Sequence, residues 1–163
     1  MVLVTALVAF GLAGCSSSRT GHAAIAMDPA GRLVAVIALC DNQRLLTLTL
    51  TDNTSGSVVT VKPAESPQLG GTVILTAPIV NPRPEGVFDI LDISHTYTLS
   101  GNTRGPQDDD ESGTLPPVQF TLDSVTKEPK LRQDAVLTPN DDEDGTEVIA
   151  KNDFVNRAKD ECS

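Results

Sequence analysis

Leu33-Val34-Ala35-Val36-Ile37-Ala38-Leu39, followed after a short polar break by Leu46-Thr47-Leu48-Thr49-Leu50-Thr51, decides the fold class of this chain. The first stretch is apolar at every position and only seven residues long. That pattern predicts a central strand buried on both faces. The second alternates leucine with threonine, which predicts a half-buried strand with Leu46, Leu48 and Leu50 turned to the core. Asp28-Pro29-Ala30-Gly31 is a turn ahead of the first strand. Asp52-Asn53-Thr54-Ser55-Gly56 is a hairpin loop after the second, and Ser57 to Lys62, with Val58, Val59 and Val61, is the strand that returns from it.

Working outward, further short strands are expected over 72–76, 87–93, 95–99, 118–122 and 147–150, and 63–71 and 81–86 read as loops punctuated by proline and glycine. Only the tail reads as helix. Asn152 or Asp153 is placed to cap it, and Phe154, Ala158 and Cys162 recur at helical spacing on one face. Many short strands between Gly/Pro loops predict a mostly β protein: an antiparallel β-sandwich of immunoglobulin-like kind with a short C-terminal helix. The Cys…Trp…Cys pattern of a true immunoglobulin domain is absent, and a small open barrel is the structural alternative.

The chain has 163 residues, 39% hydrophobic and 21% charged, a composition that supports one folded core. Its net charge is −10, so a phosphate backbone would be repelled and nucleic acid is set aside as a partner. Aromatic residues are 3% and Trp is absent, which leaves no platform for stacking bases or sugars.

The N-terminus carries the most specific signal. From Val2 to Leu12 the chain is apolar apart from Thr5 and Gly11, too short for a bilayer-spanning helix of ~20 residues and right for the apolar region of a signal peptide. Leu12-Ala13-Gly14-Cys15 closes it. This resembles the lipobox of bacterial lipoproteins, in which two small residues admit a peptidase and the cysteine thiol takes a diacylglyceryl group. The resemblance covers only the first 15 or so residues, and it implies cleavage ahead of Cys15, lipidation of Cys15, export, and anchoring at the outer face of the cytoplasmic membrane. The chain departs from the usual pattern in one respect: no Lys or Arg precedes the apolar run, so either the amino terminus supplies the only charge or the true start lies upstream. The Ala/Val/Gly-rich export region also resembles, loosely, the small lipoproteins of high-GC Gram-positive bacteria, a likeness that implies no activity and no site residues. The expected organisation is a signal peptide over 1–14, the lipidated cysteine with a flexible tether over 15–27, in which His22 is a solvated linker residue, and a single β-sandwich domain over 28–163.

Cys40 and Cys162 are the two thiols left in the exported part, and an even pair in that setting reads as a disulfide. Asn140-Asp141-Asp142-Glu143-Asp144-Gly145 matches positions 1, 3, 5 and 6 of a calcium loop, but position 12 is Lys151 and a strand follows where a helix belongs, so a solvated acidic loop is the stronger reading. Asp108-Asp109-Asp110-Glu111 lacks ligand spacing altogether. Ser124-Val125-Thr126-Lys127 spells S-x-x-K without the companion motifs of penicillin-binding enzymes and reads as chance. His95, with Ser94 before it, lacks a nucleophile setting and reads as an ordinarily hydrogen-bonded histidine. With 2 Met and 2 His the chain is poor in soft copper ligands. No catalytic, cofactor or metal residue is assigned. The expectation is a membrane-anchored, non-enzymatic binding or envelope-interaction module, its partners the membrane through Cys15 and an envelope protein or small ligand. A calcium-dependent module using Asn140–Gly145 is the alternative, and a secreted hydrolase the third.

Overall fold

The computed structural model describes residues 20–63, 66–67, 70–75, 91–92, 94–105, 112–132, 134–140 and 145–162. Among the described residues nine strands run in chain order: β1 Gly21–Met27, β2 Leu33–Leu39, β3 Arg44–Asp52, β4 Val58–Val61, β5 Gly71–Ile74, β6 Thr96–Arg104, β7 Ser112–Thr121, β8 Ala135–Pro139 and β9 Thr146–Ala150. Helix α1 spans Leu122–Thr126, a 3₁₀ turn follows at Pro129–Arg132, and α2 spans Lys151–Glu161. The strands form two antiparallel sheets, ordered β5-β2-β1-β8-β9 and β4-β3-β6-β7. Strands β1-β2-β5 and β4-β3-β6-β7 pair in the order of an immunoglobulin-like sandwich, and the β8–β9 hairpin extends the first sheet beyond β1.

β2 explains the layering. Leu33, Ala35, Ile37 and Leu39 face the second sheet and join a core with Leu48, Leu50, Leu99, Val118 and Phe120. Val34, Val36 and Ala38 face the other way, where Phe154 and Ala158 of α2 close over them. The unbroken apolar run of β2 is therefore what a strand between a sheet and a helix requires. Four of its seven positions are covered by the second sheet and three by the helix face, and all seven are buried.

β1 corrects the expectation of a flexible tether over 15–27 and of a domain that starts at 28. Gly21–Met27 is a central strand, hydrogen-bonded to β2 over its whole length and to β8 on its other side. His22-Ala23-Ala24-Ile25-Ala26 has too little β-branched or large apolar content to announce a strand. Its small side chains have a packing reason: Ala24 and Ala26 lie in the layer under α2, where a larger residue would lift the helix off the sheet. Thr20, just ahead of β1, is buried as well, at 4% exposed. Gly21 and Gly113 make its fit close. A Cβ at Gly21 would lie 2.5 Å from the Ala38 carbonyl oxygen, and one at Gly113 would lie 2.1 Å from Thr20 Cγ2.

Two further expectations need correction. Leu45, not Leu46, is buried with Leu48 and Leu50, and Leu46 is 39% exposed. A bulge shifts the β3–β6 register between Leu45 and Thr47, and one extra residue there sends each side chain before it to the opposite face. The tail is not the only helix: α1 follows β7 directly, with Thr121 as its cap, accepting from the Ser124 N–H while Ser124 Oγ accepts from the Thr121 N–H. α2 itself starts one residue earlier than its expected caps, at Lys151, with Ala150 in the cap position and no side-chain cap. Of the strand expected over 87–93, Leu91 and Asp92 are outside any strand, and the remaining positions lie outside the described residues.

Candidate functional site: the two ends of the sandwich

The strands are aligned so that each end of the sandwich gathers a different set of groups. At one end lie Thr20, the start of β1, the β2–β3 turn, the end of β6, the start of β7 and the end of α2. Cys40 and Cys162 are bonded here with their Cα atoms 5.2 Å apart, as the sequence suggests. The Cys40 N–H donates to the Thr20 carbonyl at 3.0 Å, and Thr103 Oγ1 donates to Thr20 Oγ1 at 2.6 Å. His22, expected in a solvated linker, instead has a side chain only 12% exposed, with Nε2 3.0 Å from Glu161 Oε2. This end ties the first strand, the second strand and the last helix together.

At the far end, Asp52 closes β3 and His95 precedes β6, and their side chains meet: His95 Nδ1 lies 2.7 Å from Asp52 Oδ2. Ser55 Oγ donates to the same Asp52 oxygen at 2.7 Å, and the Thr54 and Ser55 N–H groups donate to Oδ1. Asp92 turns back in the same way, accepting from the Ser94 N–H and Oγ, with Oδ2 3.9 Å from His95 Nε2. Tyr97 supports the turn from below: its hydroxyl accepts from the Asp92 N–H at 2.7 Å and donates to the Asp92 carbonyl, and its ring packs on Phe120.

These contacts set the charge state. Burial alone would push the Asp52 carboxyl up, but the hydrogen bonds from Ser55, His95 and the Thr54 N–H outweigh it and hold the carboxyl well below its ordinary range. Asp92 is also lowered, first by the Ser94 side chain and N–H. Burial pushes the Tyr97 phenol up. Because Asp52 is depressed in the fold, its contribution to stability is fully present above the ordinary carboxylate pKa of ~3.9 and is lost as pH falls below it toward the folded value. Asp52→Asn should therefore lower the denaturation midpoint near neutrality and flatten its decline below about pH 4. Midpoints measured across that acid range check this; parallel curves for variant and wild type would contradict it.

Among the described residues, the geometry orients His95 but places no hydroxyl on it. Ser55 and Ser94 each donate to a carboxylate, so the order is hydroxyl–carboxylate–imidazole, whereas a nucleophile needs its hydroxyl on the imidazole. Ser124 and Lys127 do not act together either: Ser124 is spent on the α1 cap, and Lys127 Nζ lies 2.8 Å from Asp123 Oδ2. Asn140 and Gly145 close the β8–β9 hairpin through an Asn140 N–H to Gly145 carbonyl bond. Lys151 stands at the opposite end of β9, so the position-12 residue of the calcium pattern is a full strand away. Residues 141–144, 108–111 and Cys15 lie outside the described residues. Among the described residues, no group of three or more His, Cys, Asp or Glu is placed to hold a metal ion.

The far end also carries a cavity of about 380 Å³ on the outer face of the five-stranded sheet, beside the start of α2. Its floor is apolar, from Ala26, Val34, Val36 and Ile74, and its rim carries Asp28, Arg32, Asp134 and Lys151. Asp28 Oδ1 accepts from the Arg32 N–H and its Oδ2 accepts from Arg32 Nε, which fixes the β1–β2 turn at the rim. Burial alone would raise the Asp28 carboxyl, but the Arg32 contacts and the Ala30 N–H together outweigh it and hold the carboxyl below its ordinary value, so it stays charged. An apolar floor with a few fixed charges at its mouth suits a small amphiphilic molecule, at the low end of ligand-site volumes, ~300–1,000 Å³. Sequence reading missed this cavity because its lining comes from six separate elements and the turn between β1 and β2. It also missed the Asp52–His95 pair, whose members are 43 positions apart; only the Asp-x-Ser spacing of Asp92 and Ser94 carried a local signal, that of a side-chain-capped turn.

A disulfide-stapled β-sandwich with a clasped C-terminal helix is the class that fold and site define. Compared with known proteins, the chain matches no protein-family model, no curated protein and no solved structure.

Proposed function

We propose that this chain is a membrane-anchored extracytoplasmic lipoprotein, acylated on Cys15 after loss of residues 1–14, and that its sandwich is a non-enzymatic binding module. The observation that carries the reading is the Cys40–Cys162 disulfide standing behind the Leu12-Ala13-Gly14-Cys15 motif. Disulfides persist in oxidising compartments outside the cytoplasm, which is where a lipobox sends a chain. Two or more acyl chains, at ~0.8 kcal/mol per buried CH₂, hold such a protein stably on a bilayer where one would not. Among the described residues no helix is long and apolar enough to cross a membrane, so attachment in this reading falls to the lipid. The far-end cavity supports a binding role, with its apolar floor for the ligand body and its charged rim for a polar group.

Phase partitioning of the expressed protein in a nonionic detergent tests this. Wild type should enter the detergent phase at mature length. Cys15→Ala should either keep residues 1–14 or move to the aqueous phase. Mature-length protein of both forms in the aqueous phase would contradict the anchor.

A further inference from the structure

We infer that the sandwich stands on the membrane on its disulfide end, so that its cavity and the Asp52–His95 turn face away from the lipid and receive a ligand from the aqueous side. The inference rests on Cys15 being the anchor and adds the placement of the domain, the surface that meets lipid and the direction from which a ligand comes.

The short spacing between Cys15 and Thr20 is the first argument. Thr20 follows Cys15 by five residues and is already 4% exposed, clamped by the Cys40 N–H, by Thr103 and by the close approach of Gly113. Five residues reach at most ~18 Å when fully extended. Thr20 is thus held by the fold and lies within that distance of the acylated cysteine.

The direction of the strands is the second. β1 leaves Thr20 and runs seven residues to Met27, which lines the cavity. At ~3.3 Å per residue the cavity lies ~23 Å further along the strand axis than Thr20. β3 and β6 carry the Asp52–His95 turn to the same far end, while Cys40, Cys162 and the β2–β3 turn stay near Thr20.

The third argument concerns the broad faces, either of which would have to attract lipid for the domain to lie flat. Interfacial attachment needs an apolar stripe or a cluster of cations. The outer face of the four-stranded sheet has instead a ladder of neutral polar pairs, Asn102 on Thr47 and Thr49 on Thr60. The outward face of α2 carries Asp153 and Asp160 with Lys159, and the chain as a whole is at −10. The exposed large apolar side chains among the described residues, Leu46, Val58, Val59, Ile74 and Val148, are spread over four strands of the two sheets and form no stripe along α2. A ligand dissolved among the acyl chains would have to leave the bilayer to reach the cavity, so the ligand class this geometry serves is one carried in water.

Lipidated protein in phosphatidylcholine vesicles, with a nitroxide on the lipid headgroup as quencher, tests the placement. A fluorophore is attached at Asp41→Cys, in the exposed turn beside Cys40, or at Val58→Cys, 59% exposed in wild type at the far end. Quenching at position 41 should be several-fold stronger than at 58, and lengthening the chain between Ser18 and Arg19 by a Gly/Ser insert should weaken it at 41. Protein that floats with the vesicles but is quenched equally at both positions, or more at 58, overturns the placement and leaves the anchor standing. Protein that does not float overturns the anchor and the placement together.

Discussion

Replacing both Cys40 and Cys162 by serine should lower the free energy of unfolding by ~4 kcal/mol, the largest loss expected of any change that leaves the hydrophobic core intact. The bond closes 122 residues of separation, nearly the whole described chain, and loop-closure entropy gives ~4–5 kcal/mol for a loop of that size. Domains of this length are stable by only about 5–15 kcal/mol, so the loss is a large fraction of the total. The bond also holds the end of α2 against the end of β2, where Glu161 meets His22. Its loss should therefore show first in the helix. Urea denaturation followed by far-ultraviolet circular dichroism, with and without reductant, measures it. A midpoint that reductant leaves unmoved would show that the staple contributes little.

Phe154→Ala should cost about 3–5 kcal/mol, the usual range for truncating a buried aromatic. Phe154 is 1% exposed and sits with Ala158 over Ala24, Val34, Val36 and Ala38. Those four side chains occupy the outer face of the central strands β1 and β2, and α2 is the element that packs on them. Removing the ring leaves a cavity that the small alanines cannot fill. Because the disulfide and the ring hold the same helix, the two losses should not add: the triple variant Cys40→Ser, Cys162→Ser, Phe154→Ala should lose less than the sum of its parts. A loss under about 1 kcal/mol for Phe154→Ala would contradict the claim that this ring closes the second layer of the core.

β2 shows how far sequence alone reaches. Its seven apolar residues announce a strand buried on both faces, and the structure supplies both covers, the second sheet and α2. The alternation in 46–51 announces a strand with one buried face, and the disulfide follows from reading Cys40 and Cys162 as an even pair. β1 marks the limit. Alanines are chosen there for a helix that packs on them from far along the chain, and a pattern fixed by a distant partner has no local signature. The bulge at Leu45/Thr47 is similar, since it re-aims leucines without any change of composition. α1 is short and capped by Thr121 and Ser124 rather than announced by apolar periodicity.

The site divides along the same line. Cys40 and Cys162 were legible because cysteine chemistry leaves few options. His95 reads as an ordinarily bonded histidine, and its partner Asp52 sits in a hairpin loop whose turn chemistry already accounts for an aspartate. The cavity has no sequence signature: its apolar floor comes from residues that also serve as strand and its rim from turn and cap residues.

The most direct measurement is the mass of the N-terminal peptide from mature protein extracted from membranes. Expected is a peptide beginning at Cys15 that carries a diacylglyceryl thioether, with no trace of residues 1–14. A mature protein whose N-terminus is an unmodified Met1, or whose Cys15 is a free thiol, would contradict the lipid anchor and the placement of the sandwich that depends on it.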